Sequence, residues 1–138
     1  MVNAFTREAL ATDVEQRIKG EQVVAAMTRI SSIRSTPRTL RVDNWPEFIL
    51  KALDRWAYEN GVTLDFGRPG KPTDNAFVES FSGLRDECLN AHWFLSLADA
   101  RAKIEAWRRD YNESRPHTSL GWLTPVEYAA AAARIAAE

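Results

Sequence analysis

Residues 39–66 read TLRVDNWPEFILKALDRWAYENGVTLDF, a strand, a helix and a second strand in one stretch. Leu40 and Val42 alternate with polar neighbours, the period of a half-buried strand. Pro46 suits the first turn of a helix whose inward stripe is Phe48, Ile49, Leu53, Trp56 and Ala57. Asn60-Gly61 ends that helix, because glycine takes the left-handed cap conformation without steric cost. VTLDF follows as the next strand. Strands alternating with helices predict an α/β fold.

Upstream, Val23, Val24, Met27 and Ile30 follow the helical repeat from Gly20 until Pro37 stops it. REALATDVE, residues 7–15, reads as a short strand with Val2 to Phe5 as its partner. Downstream, GRPGKPT holds two glycines and two prolines in seven residues, so no regular element passes through it. Asp74 or Thr73 then caps a helix burying Phe77, Val78, Phe81 and Leu84. Another helix runs from about Ser96 to Tyr111, with Leu97, Ala100, Ile104 and Trp107 on one face. Thr124-Pro125 opens a terminal helix over residues 124–138 with a fraying, alanine-rich end. With no repeat and no long linker, residues 1–138 read as one domain.

Bulk properties are those of an ordinary soluble protein: 45% apolar, 27% charged, net charge −1. Charge alone does not point to nucleic acid. The basic residues are grouped, as Arg29, Arg34, Arg38 and Arg41, then Arg101, Lys103, Arg108, Arg109 and Arg115. Each group is either a phosphate-neutralising face or a solvated helix face with balancing acids. The lone Cys88 excludes an internal disulfide framework and a multi-cysteine zinc site. It fits a reducing cytoplasm, as a buried structural thiol. No apolar run approaches the roughly 18 residues that span a bilayer, and MVNAFTREAL lacks signal-peptide features. A cytoplasmic protein without membrane partners is expected.

Asp43 and Glu79 have 35 residues between them, one ending a strand and the other early in a helix. Asp43 alone reads equally as a cap for the next helix, and Glu79 as an acid favoured by the helix dipole. Together, with Arg68 and Lys71 on the loop between them, they suit a site that handles a phosphodiester through divalent metal.

The motifs DNWPEF, GRPGKPTDNAFVESF, RDECLN and WRRDYNESRPHTSLGWLTPVEY occur here in that order. So ordered, they resemble the catalytic domain of insertion-sequence transposases of the OrfB type, relatives of retroviral integrases. The resemblance runs from FTREAL to the terminal helix. It implies an RNase H-like integrase core, a mixed sheet flanked by helices. It also implies an Asp-Asp-Glu triad with 35 residues between the second Asp and the Glu, positions matched by Asp43 and Glu79. Two Mg²⁺ or Mn²⁺ ions, DNA ends and target DNA as substrates, and multimeric assembly come with it. Arg68, Lys71, Asn75, Arg85 and Arg115 are the implied DNA contacts. Asn112 and His117 are either DNA contacts or structural groups, and Trp56, Trp93, Trp107 and Trp122 are taken as packing residues.

Three departures from the family pattern bear on activity. The first triad Asp and its strand are expected upstream of Met1, and the neutral Asn3 is no replacement. Trp45 stands where relatives carry glycine. SFSGLRDEC is one residue shorter than its counterpart, which turns everything beyond it by about 100° and swings Arg85 with it. The expectation is therefore a transposase fragment inactive by itself. The alternative is a non-catalytic remnant that binds DNA or pairs with a full-length transposase. A separate nuclease of the same fold would need the same missing ligand.

Overall fold

The computed structural model describes residues 1–42, 46–66 and 83–137, apart from the side chain of Arg85. The chain forms two compact units, Glu15–Asn75 and a unit joining Met1–Val14 to Ala76–Glu138.

In the unit Glu15–Asn75, helix α1 (Gly20–Arg34) precedes strand β1 (Thr39–Val42), helix α2 (Glu47–Asn60) and strand β2 (Thr63–Phe66). β1 and β2 are parallel, with Thr39 opposite Thr63 and Val42 opposite Phe66. Parallel neighbours need a crossover, and α2 supplies it. Arg41 and Asp65 face each other in register and form an ion pair of 3.1 Å.

α2 buries Ile49, Leu53, Trp56 and Ala57, the positions its 3.6-residue period brings to one side. Phe48 departs from the expected stripe and is exposed. At about 100° per residue the four buried positions span an arc of about 100°, and Phe48 falls about 80° outside it. Gly61 adopts φ 67° and its N–H caps the last turn, as expected. α1 buries Val23, Ala26, Met27 and Ile30, with Ala26 rather than Val24 completing the face. Gly20 is required where α1 meets α2, since an added Cβ would lie 2.6 Å from Ala52 Cβ.

The other unit is built on helix α3 (Leu97–Ser114) and helix α4 (Pro125–Ala137), with a π-helical segment at Leu84–Leu89 and a 3₁₀ turn at Thr118–Leu120. Ser96 caps α3 by accepting from the Asp99 N–H at 3.0 Å. Thr124 and Glu127 form a reciprocal capping box at α4, Thr124 N–H donating to Glu127 Oε2 at 2.8 Å. Ala9, Cys88, Ile104, Trp107 and Tyr111 make the core, and Val14 and Leu84 pack against it.

The strand expected over residues 7–15 is reduced to one antiparallel bridge, Val2 to Ala9. The reason is local. Asn3 Oδ1 accepts from the N–H groups of Phe5 and Thr6 at 2.9 and 3.0 Å, folding the chain into an Asx turn. Arg7 then takes φ 63°, which no strand accommodates. The helix expected to bury Phe77, Val78 and Phe81, and the loop GRPGKPT before it, lie outside the described residues.

Candidate functional site

Of the residues the sequence singles out, Asp43, Glu79, Arg68, Lys71 and Asn75 lie outside the described residues, as do Trp45 and the side chain of Arg85. What the structure places is the C-terminal end of α3 and the loop after it, which carry Asn112, Arg115 and His117.

Arg115 is held on three sides. Its guanidinium pairs with the Glu87 carboxylate, its Nε donates to Asp110 Oδ2 at 3.0 Å, and it lies 5.4 Å over the Trp107 ring. Glu87 Oε2 also accepts from Trp107 Nε1 at 3.1 Å. These bonds to Arg115 and then Trp107 hold the Glu87 carboxyl below its ordinary range. In this structure the Arg115 guanidinium is thus committed to two carboxylates.

Three others of the second basic group are also paired with acids, while Arg101 Nε donates to Val14 O at 3.1 Å. Lys103 pairs with Asp99 at 3.0 Å, and Arg108 and Arg109 share Glu105 at 2.6 and 3.3 Å. Acids placed three or four residues earlier on α3 balance its cations, the bland alternative for this group.

Asn112 is buried and structural. Its Oδ1 accepts from Ala9 N–H at 2.8 Å and its Nδ2 donates to Ala9 O at 2.9 Å. His117 rests edge-on against Tyr111, centroids 5.2 Å apart, and Tyr111 stacks on Trp107 at 5.3 Å. Backbone bonds close the loop: His117 N–H donates to Leu123 O at 3.0 Å, and Trp122 N–H donates to His117 O at 2.9 Å. His117 Nε2 is buried with no hydrogen-bond partner. Burial first, then the charges of Arg7 and Arg115, push its pKa below 6.5.

This shift predicts a pH dependence. A histidine whose folded pKa is depressed takes up its proton more readily when unfolded. Its contribution to stability is therefore present above the ordinary value of 6.5 and is lost as pH falls below it. His117→Gln should flatten the unfolding midpoint between about pH 7 and pH 5 relative to wild type. Parallel profiles for the two proteins would contradict it.

Two tryptophans expected to pack do not. Trp93 is 92% exposed and Trp122 is 71% exposed, whereas Trp56 and Trp107 are buried as expected. The loops that carry them have no hydrophobic period, so periodicity could not have assigned a side. A sequence cue did exist for Trp122, which directly follows a glycine in a tight loop. Among the described residues no group of three or more His, Cys, Asp or Glu is placed to hold a metal ion.

Comparison with known proteins decides the family. An integrase core domain family matches residues 1–72, and a second integrase core domain family matches residues 60–125. The chain belongs to the integrase core domain family.

This integrase core is 53% identical over 131 residues to the insertion element IS407 uncharacterized 31.7 kDa protein of Burkholderia multivorans. The match covers 94% of this chain and 47% of that protein. It is 46% identical to the insertion element IS476 uncharacterized 39.2 kDa protein of Xanthomonas euvesicatoria, covering 94% of this chain and 38% of that protein. The integrase core thus spans less than half the length of these two relatives.

Among solved structures, the HTLV-2 integrase catalytic core domain in complex with magnesium, in a dimeric form, aligns with TM-score 0.62 and 17% identity. That alignment covers 90% of this chain and 77% of that chain. A chain of a simian T-cell lymphotropic virus intasome in complex with a PP2A regulatory subunit aligns with TM-score 0.63 and 14% identity, over 83% of this chain and 41% of that chain. The expected RNase H-like integrase fold is borne out.

Proposed function

We propose that this integrase core contributes Asp43 and Glu79 to a polynucleotidyl-transferase site that cuts and joins DNA in transposition, acting on transposon ends and target DNA. The observation that supports it is the family match across both acids, combined with the 35 residues that separate them. Two carboxylates are hard oxygen donors, the chemistry that Mg²⁺ or Mn²⁺ prefers. A bound pair of such ions would supply an activated water or 3′-hydroxyl and neutralise the leaving oxygen. Arg68, Lys71, Asn75 and Arg85 are assigned to DNA contact. Arg115 joins them only if a phosphate displaces Glu87 and Asp110.

The solved relative described in dimeric form supports self-association, or pairing with a full-length transposase. No helix among the described residues is long and apolar enough to cross a membrane, which accords with a cytoplasmic site of action.

The purified 138-residue chain is expected to retard duplex DNA in a mobility-shift assay. With Trp45 beside Asp43 and the segment SFSGLRDEC one residue shorter than its counterpart, it is expected to leave Mg²⁺-dependent strand transfer at background. Robust strand transfer would refute the inactivity of this polypeptide, and failure to bind any DNA would refute the DNA reading. Co-purification with a tagged full-length relative tests the pairing.

A further inference from the structure

The run Trp93-Phe94-Leu95, just before α3, presents an apolar surface to solvent. Trp93 and Leu95 are 92% and 90% exposed, and Phe94 between them is 37% exposed. Single apolar residues on a surface are ordinary, but three in succession that include a tryptophan are not. Together they offer roughly 450 Å², in the range of the largest apolar patch that a monomer carries.

The run is held in place from α3. Lys103 Nζ donates to Trp93 O at 2.9 Å and lies 5.9 Å from the centre of the Phe94 ring. The Leu95 N–H donates to Asp99 Oδ2 at 3.0 Å. These bonds fix the backbone on both sides of Phe94 and draw its ring toward the helix, which leaves Trp93 and Leu95 outward. Anchors fixed in advance lose little freedom when a partner covers them. Tryptophan is among the residues most enriched as such anchors.

Charge and area indicate the partner. Asp99 and Lys103, the two ionic groups that hold the run, pair with each other at 3.0 Å. The groups touching the run therefore offer no unpaired charge for a polyanion or any other charged partner. A charge-balanced apolar surface can face its own copy across a two-fold axis without repulsion. Covered on both copies, the run removes roughly 900 Å² before any polar rim is counted, close to the ~1,000 Å² of a specific interface.

We propose that Trp93, Phe94 and Leu95 form the centre of a two-fold interface between two copies of this chain. This rests on the self-association reading above and names the surface for it. At this size the dimer is weak and forms with rising concentration.

The test is sedimentation velocity of the 138-residue chain over a concentration series. The wild type should pass from monomer to dimer. Trp93→Ala should raise the dimer dissociation constant about thirtyfold or more, the loss of one hot spot. Leu95→Lys and Leu95→Glu should each stay monomeric alone and pair when mixed, because the two surfaces then carry opposite charges. Both positions are exposed, so all three variants should melt as the wild type does. Trp122→Ala, which removes an exposed tryptophan on another loop, should leave the dimer intact.

A wild type that dimerises, with the same affinity after Trp93→Ala, would overturn this surface and leave self-association standing. A wild type that stays monomeric throughout the series would remove both. Loss of DNA affinity in Trp93→Ala with the dimer unchanged would also overturn the proposal, making the run a DNA contact.

Discussion

Trp107→Ala should destabilise the unit built on α3 by about 3–5 kcal/mol, the range for truncating a buried large aromatic. The indole sits in the core with Ala9, Cys88, Ile104 and Tyr111. It is also the surface on which Tyr111 stacks at 5.3 Å and over which the Arg115 guanidinium lies at 5.4 Å. Truncation therefore opens a cavity and removes two ring contacts at once. Against a total stability of roughly 5–15 kcal/mol, such a loss leaves the unit marginal. Trp107→Phe separates the contributions. It keeps most of the volume and loses the bond from the indole N–H to Glu87 Oε2 at 3.1 Å, so about 1–1.5 kcal/mol is expected. Urea midpoints at unchanged m-value measure both. A loss below about 1 kcal/mol for Trp107→Ala would mean that the core collapses around the gap and that Trp107 does not organise it.

Much of this chain was legible because its punctuation and its periods agree. Pro46 and Gly61 bracket α2, and the inward residues between them recur at helical spacing. The strands on either side carry short apolar runs, and they pair as a helix crossover requires. Failures came where one of these signals was missing. Phe48 beside Ile49 could not be assigned a side by residue type, only by helix phase. Residues 7–15 mix apolar and polar positions as a short strand does, but the Asx turn at Asn3 and the left-handed Arg7 break the pairing after one bridge.

The same division holds for the candidate site. The pairing of Lys103 with Asp99, and of Arg109 with Glu105, follows from spacing on a helix. The pairing of Arg115 with Glu87 joins α3 to the π-helical segment across 28 positions, and no local pattern announces it. Asp43 and Glu79 were recognisable only as a pair, through their separation and the motifs around them. Either acid alone has an ordinary explanation as a cap or a dipole partner.

Asn112 gives the sharpest test of how the segment Met1–Val14 is tied to α3. Its amide makes two bonds to Ala9 across 103 residues of sequence, one accepted and one donated. The group is buried, so removing it strands the Ala9 N–H away from water. The Ala9 carbonyl keeps a second donor, Arg108 Nη1 at 2.9 Å, which limits the damage to one orphaned group. Asn112→Ala is therefore expected to cost about 2–3 kcal/mol, an unsatisfied buried donor plus a small cavity.

Asn112→Asp distinguishes this bond from mere volume. An ionised aspartate accepts from the Ala9 N–H but has nothing to donate, and it sets a buried negative charge against the Ala9 carbonyl. At neutral pH the loss should match or exceed that of alanine. On acidification the carboxyl takes a proton and can donate again. A group whose folded pKa is raised in this way adds stability as pH falls, opposite in sign to the native trend from His117. Chemical denaturation of Asn112→Asp across pH should thus show a gap to wild type that narrows on acidification. A gap that is constant with pH would mean the Asn112 donor contributes nothing, and that shape alone holds Ala9 in place.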